Sequence, residues 1–278
     1  MKKWSEFPAQ QLDIVDFHLG EAVEWAKSFQ LDYDSSYEGF VIEGTRIPHG
    51  RGIMATDDSI FEGTFENGKK QGHGRIVQNY NGKLKVYEGM FQKDAQHGKG
   101  CLSVFDGILV YEGDFVNGAI TGKGVMKDLV HNVTYIGQFL KNQYHGYGLK
   151  QFEDYYCYKG QFKHKQYHGY GVLKQGDLMY EGSFIMGQIQ GFGIQSYKSN
   201  QALYIGYFNE GKHYGIGVIR DEDGKYYRSK NGVKRYMSEI RDYENYRLAS
   251  AILFARHPII YFRLFRCLIN AQYLLFIS

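Results

Sequence analysis

The stretch YEGDFVNGAITGKG, Tyr111 to Gly124, places four glycines and two aromatics in fourteen residues. It does so again at Phe61 (FEGTFENGKKQGHG), Tyr87 (YEGMFQKDAQHGKG) and Tyr180 (YEGSFIMGQIQGFG), with looser copies from Tyr37, Tyr135, Tyr158 and Tyr204. The first glycines of the eight copies are Gly39, Gly63, Gly89, Gly113, Gly137, Gly160, Gly182 and Gly206, spaced by 24, 26, 24, 24, 23, 22 and 24 residues. A period in the twenties is the mark of a repeat architecture, in which no single core limits growth.

Within a copy, Tyr-x-Gly-x-Phe has a period of two, so tyrosine, glycine and phenylalanine share one face of a strand. Glycine weakens a strand interior unless something approaches closely. The expected visitor is an aromatic ring from an adjacent strand. The Gly-x-Gly half with its apolar follow-on reads as the return strand. The loop between the halves carries a glycine that suits a turn with φ > 0. Asp94, Asn142 and Lys165 replace that glycine in three copies, and lysine is the real departure. Asn81-Gly82, Asp106-Gly107 and Asp223-Gly224 reverse the chain into the next copy. Each copy is therefore a β-hairpin, and consecutive hairpins stack side by side.

The pattern Tyr-x-Gly-x-Phe-x-x-Gly-x-x-x-Gly-x-Gly resembles the MORN repeat over Tyr37 to about Arg220. Val41 is the one departure in the second aromatic slot. The resemblance implies an all-β, elongated single-layer array of antiparallel hairpins, used as a scaffold in cytoskeletal, ciliary or membrane-associated settings. Some proteins with such repeats add a lipid kinase or protein methyltransferase domain. The flanks here, 36 residues before the first copy and about 58 after Arg220, carry no kinase motif. The reading is of no enzyme, no catalytic residue, no cofactor and no metal.

Composition supports this. Apolar residues make up 43% of 278, too many for disorder, and 25 tyrosines with 19 phenylalanines can bury much surface. A net charge of +3 gives no argument for nucleic acid. Cys101, Cys157 and Cys267 occupy unrelated repeat positions, and the start MKKWSEFPAQ has no apolar leader, so free thiols in the cytoplasm are expected.

Other constellations read as structural. The Gly-x-Gly pairs lack the order of a phosphate loop. His49, His97, His145 and His168 precede the first glycine of each pair. One repeat apart they are too distant to converge on zinc, so a solvated ladder is expected. Glu38, Glu62, Glu88, Glu112 and Glu181 read as a solvated row, and DEDGK at Asp221 as a hairpin turn and not a calcium loop.

One trend points to function. The residue between the paired glycines runs His73, Lys99, Lys123, then Tyr147, Tyr170, Phe192 and Ile216. Two positions on come Arg75, Cys101, Val125, then Leu149, Val172, Ile194 and Val218. The face opposite the glycines thus turns from basic to apolar at about residue 146, and a contiguous apolar patch marks a covered or binding surface. Tyr147, Leu149, Tyr170, Val172, Phe192, Ile194, Ile216 and Val218 are the expected partner-binding residues.

Three segments follow: 1–36 as an N-terminal helical or capping segment, 37–232 as eight repeats plus a degenerate ninth, and 233–278 as a C-terminal amphipathic helix and apolar tail. Residues 8–30 read as a short helix or cap, and 234–256 as an amphipathic helix, from Val233, Tyr236, Met237, Ile240, Tyr243, Ile252 and Leu253 recurring mainly at helical spacing. Arg263 and Arg266 interrupt the apolar run after Pro258 and penalise a membrane span. That run is expected to pack near the array. The functional reading is a scaffold with an unidentified protein partner in a cytoskeletal or ciliary assembly. The alternatives are a peripheral protein on an anionic membrane surface and a structural subunit of an enzyme complex. The oligomeric state is left open.

Overall fold

The computed structural model describes residues 22–236. Their chain divides into two compact units at Asp106 and Gly107. The first holds β1 (Val23–Gln30), β2 (Ser35–Ile42), β3 (Pro48–Thr56), β4 (Ser59–Glu66), β5 (Lys69–Tyr80), β6 (Lys83–Gln92) and β7 (Ala95–Val104). The second begins with β8 (Leu109–Val116), β9 (Ala119–Asp128), β10 (Val133–Leu140), β11 (Gln143–Phe152), β12 (Tyr156–Lys163) and β13 (Gln166–Gln175). It continues with β14 (Leu178–Ile185), β15 (Gln188–Tyr197), β16 (Leu203–Asn209), β17 (Lys212–Arg220), β18 (Tyr226–Lys230) and β19 (Val233–Tyr236). In each unit every strand pairs antiparallel with the next in sequence, giving an all-β single layer of hairpins.

The glycines face one another across every ladder of the second unit's repeats. Gly113 pairs with Gly124, Gly124 with Gly137, Gly137 with Gly148, and so on to Gly206 with Gly217. The first unit carries the same track from Gly39 to Gly100. Tyrosine rings lie in this bare channel. A Cβ on Gly124 would stand 2.5 Å from ring atoms of Tyr111 on the adjacent strand, as expected. At Gly113 the ring belongs instead to its own strand, two residues back, and the adjacent strand supplies backbone: the Lys123 carbonyl oxygen at 2.5 Å and the Gly124 Cα at 2.6 Å.

The two glycines of Gly-x-Gly serve different ends. The second lies under the tyrosine. The first sits at a β-bulge: after Gly137 pairs with Gly148, Gln138 pairs with His145, leaving Gly146 and Tyr147 looped out. Gly146 there has φ +58°, a left-handed conformation glycine adopts without steric penalty.

The rings interlock. Tyr135 meets Phe139 of its own repeat and Phe162 of the next, both edge-on at 5.0 Å, and Tyr158 meets Phe162 and Phe184 likewise at 5.1 Å. Such pairs contribute about 0.5–1.5 kcal/mol each beyond area burial. Each phenol is also anchored: the Tyr135 hydroxyl donates to the Gln138 carbonyl at 2.8 Å and that of Tyr158 to Gln161 at 2.9 Å. Burial therefore leaves no hydroxyl stranded, which favours tyrosine over phenylalanine in the first slot. Val41 fills the second slot of its copy and is buried there.

In seven of the eight copies the loop between the halves contains two residues, both with φ > 0, the geometry whose twist matches a hairpin, while the loop after Ile42 has five. Asn117 and Gly118 have φ +48° and +78°, and Lys141 and Asn142 have +47° and +63°. Six of these loops also bond to the repeat before them. Asn142 donates its N–H to the Ile120 carbonyl at 2.9 Å, and its Oδ1 accepts from the Ile120 N–H at 2.8 Å. DEDGK is a turn, with the Asp221 N–H donating to the Lys225 carbonyl.

Two expectations are corrected. Val23–Gln30 is a strand and not the end of a helix; the rest of the segment 8–30 lies outside the described residues. Trp25 pairs with Phe40 and Phe29 with Tyr37, across a shift in register. At the other end, the degenerate ninth copy is a hairpin whose second strand, Val233–Tyr236, occupies the start of the expected 234–256 helix. Residues 237–256 and the tail beyond lie outside the described residues.

Candidate interaction surface

The face opposite the tyrosines varies from repeat to repeat. In the first unit it is mixed: Arg75 lies between Glu62 and Glu88 in register and Arg51 opposite Thr64, while exposed Ile53 lies between Glu38 and Glu62 and exposed Met90 opposite His73. In the second unit all eight expected residues come to this face, on alternate strands. Tyr147 and Leu149 stand on β11, Tyr170 and Val172 on β13, Phe192 and Ile194 on β15, Ile216 and Val218 on β17.

Of the strands between, β16 adds Ile205 and Tyr207, and β10 beside β11 adds Ile136, whereas β12 and β14 carry Lys159, Gln161, Glu181 and Ser183 on this face. Ile136 pairs with Leu149, and Ile205 pairs with both Ile194 and Val218. Tyr207 lies opposite Phe192, its ring edge-on at 5.5 Å. Sequence reasoning passed over these residues, although a signal existed. Where five copies read Tyr- or Phe-Glu-Gly, those at Tyr135 and Tyr204 read Tyr-Ile-Gly.

Burial across the surface is uneven. Phe192 is 2% exposed, with Tyr170, Ile194 and Ile205 packed against it, whereas Tyr147 and Ile216 are 65% and 55% exposed. Glu181 departs from the expected solvated row. Glu38, Glu62, Glu88 and Glu112 are exposed, but Glu181 is 8% exposed, between Val172 and Ile194 in register. The Tyr170 hydroxyl donates to its carboxylate at 2.5 Å, a charge-assisted bond that a buried carboxylate needs.

The histidine row is not the solvated ladder expected. His49 is buried at 3% exposure, its Nδ1 accepting from the Asn67 N–H at 3.3 Å, and His97, His145 and His168 are half-buried. Among the described residues, no group of three or more His, Cys, Asp or Glu is placed to hold a metal ion.

The glycine track, the tyrosine rings set in it and the two-residue turns define a hairpin-repeat protein. The MORN repeat family model matches residues 61–77, 87–107, 111–128, 135–155, 158–177 and 180–201, and the chain belongs to that family. The hairpins from Tyr37 and Tyr204, outside the matched span, carry the same glycine pairing and buried tyrosine. MORN repeats are generally non-catalytic modules for protein or membrane-lipid interaction. None of the curated proteins compared with the chain matches it.

Proposed function

We propose that the protein is a non-enzymatic scaffold whose second unit binds a protein partner through the apolar face between Ile136 and Val218. The observation that carries this reading is the run of apolar residues on β10, β11, β13, β15, β16 and β17, on the face that the repeat leaves free to vary. Tyr147, Ile136 and Ile216 are exposed at its margins, and tyrosine is among the residue types enriched at binding hot spots. A cytoplasmic place in a cytoskeletal or ciliary assembly is the setting that the family resemblance supports.

The test compares proximity labelling by the wild type with labelling by Tyr147→Ser/Ile216→Ser, both exposed and outside the tyrosine layer. Loss of one set of labelled proteins, with an unchanged circular dichroism spectrum, is expected. Identical labelling would overturn the surface. Sedimentation with anionic vesicles at two salt concentrations tests the lipid alternative, since headgroup attraction weakens as screening rises.

A further inference from the structure

Alternate turns of the second unit collect at opposite edges of its sheet, and the two edges carry opposite charge. One edge holds the turns within repeats, after β8, β10, β12 and β14. Over 116–119, 140–143, 163–166 and 185–188 these turns carry Lys141, Lys163, His164 and Lys165 and no Asp or Glu. The other edge holds the turns between repeats, after β9, β11 and β13. Over 128–133, 152–156 and 175–178 these carry Asp128, Glu153, Asp154 and Asp177 and no Lys or Arg. Both edges also expose apolar side chains beside the charges. Leu140, Ile185 and Met186 stand on the basic edge, and Leu129, Val130 and Tyr155 on the acidic one. The fold does not require them, since Glu66 and Asn209 fill the place of Leu140 and Ile185 in other copies.

We propose that these edges bind one another between copies of this chain, the basic edge of one docking on the acidic edge of the next. Two parallel copies set side by side, displaced by one strand or ~4.8 Å, bring the turn after β10 against the turn after β9. Leu140 and Lys141 then meet Leu129, Val130 and Asp128. The same displacement brings Lys163 and Lys165, after β12, to Glu153 and Asp154, after β11. Successive turns on either edge are two strands apart, ~9.6 Å, so one placement seats both pairs. A two-fold axis between side-by-side copies would set lysine against lysine. The contact is therefore heterologous and open, adding copies in one direction. Charge selects the occupant: an anionic membrane would satisfy the basic edge alone, whereas a second copy satisfies both. The inference concerns the turn edges and does not depend on the apolar face.

The test is analytical ultracentrifugation of the full chain, kept reduced, in low salt and in ~1 M salt, where the screening length falls to ~3 Å. In low salt the mean mass of the wild type should more than double as its concentration rises, and high salt should return it to the monomer. A wild type that stays monomeric throughout would overturn the proposal. Lys141→Glu/Lys163→Glu/Lys165→Asp turns the basic edge acidic, and Glu153→Lys/Asp154→Lys reverses the turn after β11. Glu210, Glu66 and Asp94 already hold the first three positions in other copies, and Lys141 holds the same φ of +47° as Glu153, so both variants keep the fold. Each alone should stay monomeric, and an equal mixture should regain the wild-type mass. Wild-type association by either variant alone, or a mixture that remains monomeric, would overturn the pairing. A monomeric wild type that sediments with phosphatidylserine vesicles, when the lysine variant does not, would give the basic edge to a membrane and overturn it too.

Discussion

The two faces of the second unit are built from the same strands and obey different rules. On the tyrosine face every repeat makes the same contacts, ring on glycine, ring edge on ring, hydroxyl on carbonyl. On the other face the equivalent positions hold lysine, tyrosine, phenylalanine or isoleucine, and their exposure ranges from 65% at Tyr147 to 2% at Phe192. The constant face makes the fold, and the variable face is free to give it an address. Stability should therefore concentrate on one side of a single layer.

The largest test of that division is alkaline. Burial pushes Tyr87, Tyr111 and Tyr204 up to about 12, with the Asp114 charge adding to the effect at Tyr111. A phenol whose pKa is raised on folding contributes stability that is complete below the unfolded value of about 10 and is lost as pH rises through the folded one. The sheet should unfold between about pH 10 and 12, with tyrosinate absorbance and loss of circular dichroism appearing together. Buried phenols that ionise while the sheet persists would break the claim that they hold it.

A smaller, local test is Gly113→Val. The added side chain meets the Lys123 carbonyl and the Gly124 Cα, backbone that cannot move aside, so a loss of about 3 kcal/mol is expected despite valine's strand propensity. Glu112→Gln, one residue away on the exposed face, should stay within about 0.5 kcal/mol in the same denaturant titration. Equal losses would erase the distinction between the faces.

The smallest effect has the opposite sign. Lys165 holds φ +67° in a two-residue turn where other copies have glycine, and its own N–H still reaches the Tyr144 carbonyl at 3.1 Å. Lys165→Gly removes the left-handed penalty and adds unfolded-state entropy, for a net gain of about 0.5–1 kcal/mol. A lower melting temperature would mean that this turn is shaped by contacts of the lysine side chain.

The glycine track, the hairpins and the substituted turns were legible in the sequence because each repeat states the same local rule and the copies check one another. The ends have no such redundancy. Trp25 and Phe29 are four residues apart, which suits one side of a helix. The bulge between them instead puts Trp25 beside Phe40, rings 5.2 Å apart, and Phe29 beside Tyr37 at 5.8 Å. Pairing with β2 overrode local pattern. Within the surface, the Gly-x-Gly frame put the alternate-strand residues on one face, where the strands carry them. Glu181 was not, since its Tyr-Glu-Gly context matches that of exposed Glu112 and only its neighbours across the sheet differ.

The strand lengths carry a mechanical consequence. Force applied at Tyr236 meets β19 first, four residues long, then β18 with five, before reaching strands of seven to ten. Because each strand holds only its neighbours, such a load peels one ladder at a time and does not shear many at once. The second unit is then an extensible element that yields hairpin by hairpin from its weakest end, each hairpin of about 23 residues releasing roughly 75 Å of chain at ~3.3 Å per residue.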